Sequence, residues 1–148
     1  MLKVSTLVRY GTRALVQIAE GHPARAVPVR EIARVQRLSA KYLERIVSAL
    51  KSAGLIRAVR GTRGGYVLSR PPRSVRLDEV VRALDGPPVV AECVDRPESC
   101  GLRATCPTRD VWVRVREAVD GVLSSVTLEE LVEASRARGG AAPPNYSI

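Results

Sequence analysis

The 148 residues are 45% hydrophobic and carry a formal net charge of +9, enough apolar content for one buried core, with no apolar run long enough to span a membrane. Aromatics are 3% and Phe is absent, so the core is expected to consist of Val, Leu, Ile and Ala. Residues 1–74 hold 15 Lys and Arg against 3 Asp and Glu, and residues 75–148 hold 9 against 12, so a basic half suited to a polyanion precedes a mildly acidic one.

Apolar residues Leu7, Val8, Tyr10, Ala14, Leu15, Ile18 and Ala19 recur at helical spacing, and Gly21-His22-Pro23 ends that helix. A short helix follows over Val29–Gln36. After Arg37-Leu38-Ser39 a stronger helix begins, with Ser39 able to cap it and Leu43, Ile46, Val47 and Leu50 facing the core at i, i+3, i+4, i+7. Gly54 closes it as a C′ glycine. Two helices joined by so tight a turn form a helix-turn-helix.

Strands over Leu55–Arg60 and Tyr66–Ser69 flank Gly61-Thr62-Arg63-Gly64-Gly65, whose glycines suit a tight hairpin. A basic hairpin directly after a helix-turn-helix is the wing of a winged helix. Pro71-Pro72 stops the second strand, and Leu77–Leu84 is expected to be a short helix.

Next comes a stretch bounded by Pro87-Pro88 and Pro107 that holds the chain's only cysteines, Cys93, Cys100 and Cys106, within fourteen residues. An odd count argues against a closed disulfide framework. Residues 1–10 contain no apolar run of signal length, so a cytoplasmic, reducing location is expected, where clustered thiols bind metal or undergo redox chemistry. The spacing Cys-x6-Cys-x5-Cys lacks the Cys-x2-Cys knuckles common in zinc sites, and thiolates are the usual iron–sulfur ligands. An iron–sulfur cluster is the expected cofactor, 2Fe–2S favoured over 4Fe–4S, with zinc or a cofactor-free thiol switch as alternatives. The fourth ligand is left open among Glu92, Asp95, Glu98, Asp110 and His22.

Pro107 suits the first turn of a further helix, with Asp110 complementing its dipole. Val111, Val115, Ala118, Val119, Val122 and Val126 form a narrow stripe that suits a twin helix in a homodimer, or packing onto its own domain. Thr127-Leu-Glu-Glu130 is a capping box opening a last helix to about Ala134, and Arg136–Ile148 reads as a disordered tail. The fold class is thus mainly α with a small β-hairpin wing. Residues 1–84 are the winged helix-turn-helix domain, 85–107 the cysteine loop, 108–135 the dimerisation helix and a short C-terminal helix, and 136–148 the tail.

In a helix-turn-helix the early residues of the second helix reach base edges in the major groove. Ser39, Lys41, Tyr42, Glu44 and Arg45 occupy those places, and Ser48 continues the face. Arg45 suits a bidentate pair with guanine, and Glu44 an acceptor for cytosine. Arg60 and Arg63 on the hairpin suit a minor groove or phosphates, with Lys3 and Arg9 as further backbone contacts.

Arg9-Tyr10-Gly11, Ser39-Ala-Lys-Tyr42-Leu43-Glu44, Gly54-Leu55-Ile56, Val59 to Tyr66, the cysteine triplet, Trp112 and Thr127 to Leu131 together resemble the IscR/NsrR-type winged-helix regulators, over about Leu2 to Leu131. The resemblance implies an iron–sulfur cluster, a homodimer joined through the long helix, and DNA reading at Tyr42, Glu44 and Arg60. It also implies a fourth ligand, but Arg109 stands where one branch has histidine, and Arg9 where the other has a partner-subunit carboxylate.

The expected function is a homodimeric transcriptional regulator that binds double-stranded operator DNA under control of the cluster. A cluster-free regulator of the same fold and a small cluster carrier are the alternatives. No enzyme is expected and no small-molecule substrate, because there is no nucleophile–base constellation and Gly61–Gly65 lacks the Gly-Lys-Ser/Thr of a phosphate loop.

Overall fold

The computed structural model describes residues 3–139. Helix α1 (Thr6–Glu20) is capped by Ser5, whose Oγ accepts from the Val8 N–H at 3.2 Å. Its apolar face buries Leu7, Val8, Ala14, Leu15, Ile18 and Ala19. Gly11 lets α1 approach the later helix α4 (Leu77–Asp85) closely, since a Cβ there would stand 2.6 Å from a Leu84 methyl.

Helices α2 (Val29–Gln36) and α3 (Ala40–Ser52) make the helix-turn-helix. The turn uses Arg37 at φ 53°, a left-handed conformation uncommon for a residue other than glycine. Gln36 Nε2 donates to Gln17 Oε1 at 2.9 Å, and both side chains are buried, so a polar pair fixes how α2 sits on α1.

Strands β1 (Ile56–Val59) and β2 (Gly65–Leu68) pair antiparallel, Ile56 opposite Leu68 and Val59 opposite Gly65. The hairpin is tied to the segment entering α2, because Val27 and Tyr66 exchange both backbone hydrogen bonds at 2.9 Å. Gly65 is required at this crossing: its φ is +155°, and a Cβ would lie 2.4 Å from the Val27 carbonyl oxygen.

After a 3₁₀ turn (Pro72–Ser74) and α4 come a one-turn helix α5 (Glu92–Asp95), a 3₁₀ turn (Pro97–Ser99), α6 (Arg109–Ser125) and α7 (Leu128–Ala137). The architecture is mostly helical with one two-stranded sheet, as the sequence reading expects. Several details differ.

The apolar core extends past the winged helix-turn-helix residues 1–84, because Leu128 (2% exposed) and Val132 (4%) of α7 belong to it. The chain is stitched there by Leu77 N–H to Val126 O at 3.0 Å and Leu128 N–H to Val75 O at 2.8 Å. The Thr127–Glu130 capping box forms as expected, but the helix runs to Ala137, past Ala134, so Arg136 and Ala137 are helical rather than tail. The rest of the expected tail, 140–148, lies outside the described residues. Pro107 precedes the cap residue Thr108 instead of opening α6. The cysteine loop is not wholly irregular, since Cys93 sits on α5.

Candidate nucleic-acid interface and cysteine segment

Helix α3 divides its faces sharply. Leu43, Ile46, Val47 and Leu50 are buried, while Lys41, Glu44, Arg45 and Ser48 are exposed on the other side. Ser39 is also exposed, but its Oγ accepts from the Tyr42 N–H at 3.2 Å, so its first task is the helix cap. Tyr42 is half-buried, its ring edge-on to Tyr10 with centroids 6.1 Å apart, and Arg13 lies 5.6 Å over Tyr10. That stack joins α1 to the first turn of α3. The sequence offers no signal for it, as Tyr10 belongs to a core stripe and Tyr42 to a surface one.

Arg60 and Arg63 are exposed beside the wing glycines. Exposed Arg30, Arg34, Arg37 and Arg57 add cations on α2, its turn and β1 that the sequence reading did not single out. Beside them Arg25 grips Glu31 through two hydrogen bonds of 2.8 and 3.0 Å, and this holds the Glu31 carboxyl below its ordinary range.

The three cysteines are free thiols, each partly exposed, on the segment between α4 and α6. Cys106 Sγ lies 3.3 Å from Thr108 Oγ1, and that contact, with backbone N–H groups and the Arg109 charge, lowers the thiol below its usual value. Among the described residues no three Cys, His, Asp or Glu side chains are grouped closely enough to hold a metal ion. The donor set still fits an iron–sulfur cluster in kind, being three unpaired thiols on one exposed segment. Loading would require that segment to draw together.

Of the remaining candidate ligands, Glu92, Glu98 and Asp110 are exposed and His22 lies beyond the end of α1. Asp95 is already engaged. It accepts from the Val90 N–H at 3.1 Å through one oxygen and from Arg116 Nη1 of α6 through the other.

Helix α6 buries none of its residues. Its stripe splits between two surfaces: Val111 (51% exposed), Val115, Ala118 and Val122 (62%) face outward, whereas Val119, together with Leu123 outside the stripe, lines a groove of about 770 Å³. The groove runs between the start of α1 and α4, with Val8, Leu77 and Val81 on its walls and Arg9 and Val89 among its other lining residues. Val126 instead gives its carbonyl to the stitch with Leu77.

A family model described as "Rrf2: Iron-dependent Transcriptional regulator" matches residues 4–134. The HTH-type transcriptional regulator CymR of Bacillus subtilis is 37% identical over 130 residues, covering 88% of this chain and 89% of CymR. A solved structure of CymR, described as the global cysteine regulator of B. subtilis, superposes with a TM-score of 0.75 at 38% identity, covering 90% of this chain and 98% of that one. The structure of IscR from T. potens gives a TM-score of 0.75 at 34% identity, covering 90% and 88%. These relatives are named as regulators, which sets aside both an enzyme and a small cluster carrier.

Proposed function

The chain belongs to the Rrf2 family of transcriptional regulators, and from that premise we propose a homodimer that binds operator DNA in a manner set by the state of its cysteine segment. The reading puts Ser39, Lys41, Tyr42, Glu44 and Arg45 in the major groove and Arg60 and Arg63 on the flanking backbone. It is supported by the exposed polar face of α3 and by the coupling of wing to helix-turn-helix through Val27 and Tyr66. Dimerisation through α6 is supported by its outward row of valines and the open apolar groove beside it, surfaces a lone chain leaves wet.

One observation carries the regulatory part. Three free, partly exposed thiols share one segment in a family whose model is described as iron-dependent. We therefore assign Cys93, Cys100 and Cys106 as ligands of an iron–sulfur cluster, 2Fe–2S in preference to 4Fe–4S. Such a group, when bound, supplies iron held by thiolate and a redox-active centre. The protein's part is to present the thiols and to couple their arrangement to α6. Anaerobic purification followed by iron, sulfide and visible-absorbance analysis tests this directly. Stoichiometric iron and sulfide are expected, and their absence after reconstitution would remove the cluster.

The lowered, partly exposed Cys106 thiol beside Thr108 favours a second reading in that case, a thiol switch without metal. Both readings share the DNA interface and differ only in what the thiols do.

A further inference from the structure

Arg116 stands on α6 next in sequence to Val115 of the outward row, and two of its contacts fix its direction. Its Nε donates to Asp120 Oδ2 at 2.7 Å, one turn along the same helix, which orients the guanidinium fork. Its Nη1 then reaches out of α6 to Asp95 Oδ1. The other oxygen of Asp95 accepts from Val90 N–H at 3.1 Å, closing residues 90–95 into one turn. The Arg116 and Asp95 side chains are only 22% and 13% exposed, so this pair is shielded more than an ordinary surface ion pair.

Cys93 lies two residues before Asp95 in that turn, whereas the polar contacts of the other two thiols' surroundings are local. Ser99 N–H reaches Arg96 O at 2.9 Å, Thr105 N–H reaches Leu102 O at 3.0 Å, and Cys106 meets Thr108.

We propose that Arg116 is the positioning residue of the cysteine segment, anchoring the Cys93 turn to α6 through Asp95 so that Cys93 is the fixed thiol toward which the other two close. The inference rests on reading this segment as the sensor. It also removes Asp95 from the candidate ligands, since both its oxygens are committed to the anchor. A change in how the thiols are drawn together then pulls on α6 at Arg116, beside the row proposed to meet the partner.

The test is the rate of iodoacetamide alkylation of each cysteine in the reduced, metal-free full-length protein, read by peptide mass. If the anchor limits local opening, Arg116→Ala speeds Cys93 roughly tenfold, about 1.4 kcal/mol of holding free energy, and leaves Cys100 and Cys106 within about twofold. Arg116→Lys, which keeps the charge but loses the fork, falls between. Asp95→Asn moves Cys93 in the same direction, and the double variant adds little to either single one. Glu117→Gln, at an exposed position of the same helix, leaves Cys93 near the wild-type rate.

An unchanged Cys93 rate, or equal acceleration at all three thiols, overturns the proposal. Because no metal is present, the outcome is independent of the cluster. A protein that never takes up iron refutes the cluster and leaves the anchor standing, while normal iron uptake with an unchanged Cys93 refutes the anchor alone.

Discussion

Leu128→Ala tests whether α7 is part of the DNA-binding core or a peripheral appendage. Leu128 is 2% exposed and lies at the start of α7, where its own N–H donates to Val75 O at 2.8 Å. Removing its three outer carbons forfeits roughly 2.4 kcal/mol of transfer free energy at about 0.8 kcal/mol per buried methylene. A residual cavity adds to this, and Leu→Ala changes at buried sites run from about 2.7 to 5 kcal/mol when the surroundings cannot collapse. With Leu128 2% exposed and a modest cavity added to the transfer loss, the expected loss is about 3 kcal/mol. Urea unfolding should be followed at matched protein concentration, because an associating chain has concentration-dependent stability. Glu133→Ala, on an exposed face of the same helix, is the control and should stay within about 0.5 kcal/mol. A Leu128→Ala loss below about 1 kcal/mol would refute the inclusion of α7 in the core.

Affinity for duplex DNA should fall with salt, with a log–log slope of about −7 if two winged helices neutralise on the order of 8 phosphates; a flat response would end the nucleic-acid reading. Arg45→Ala should cost about 1–3 kcal/mol chiefly at one base-pair position, whereas Arg60→Ala should weaken all sequences alike, both read by competition binding on a substituted duplex set. Val115→Glu should abolish the dimer in sedimentation analysis, since it places an unpaired charge in the proposed seam; a variant that stays dimeric would assign the interface elsewhere. Glu31 is held below its ordinary carboxylate range by Arg25, so this pair stabilises the fold above the unfolded carboxylate value and that contribution disappears as pH falls through the lowered one. Arg25 is 55% exposed, so Arg25→Ala should cost less than about 1 kcal/mol at pH 7 and nothing near pH 2, by urea midpoints.

Much of the DNA-binding half is legible in the sequence because its signals are local. The Val29–Gln36 helix, the Ser39 cap and the glycine-rich hairpin each depend on residues within one turn or one strand of each other, and all form as expected. What the pattern cannot carry is partnership across the chain. Val119 shares a stripe with Val115 and Val122, yet lines the α1–α4 groove, because a 3–4 spacing straddles two faces of a helix with neighbours on one side. Leu128 and Val132 read as a short appended helix because the surfaces they cover lie on earlier elements. Asp95 and Arg116 look like solvated charges 21 residues apart and become an anchor only when α5 lies against α6. Tyr42 reads as a base contact from its place in α3, while its ring also packs on Tyr10.

Control of DNA binding by the cysteine segment is tested by one comparison of loaded and metal-free protein. A duplex is first selected from a random library with the anaerobically reconstituted protein. Its affinity is then measured for reconstituted and metal-free protein, wild type and Cys100→Ala, at one salt concentration. At least a roughly fivefold difference is expected between the two wild-type states, within the usual range of coupling between sites, and none for Cys100→Ala with its fold intact. Equal affinity of the two wild-type states, with iron shown to be bound in one of them, would contradict it.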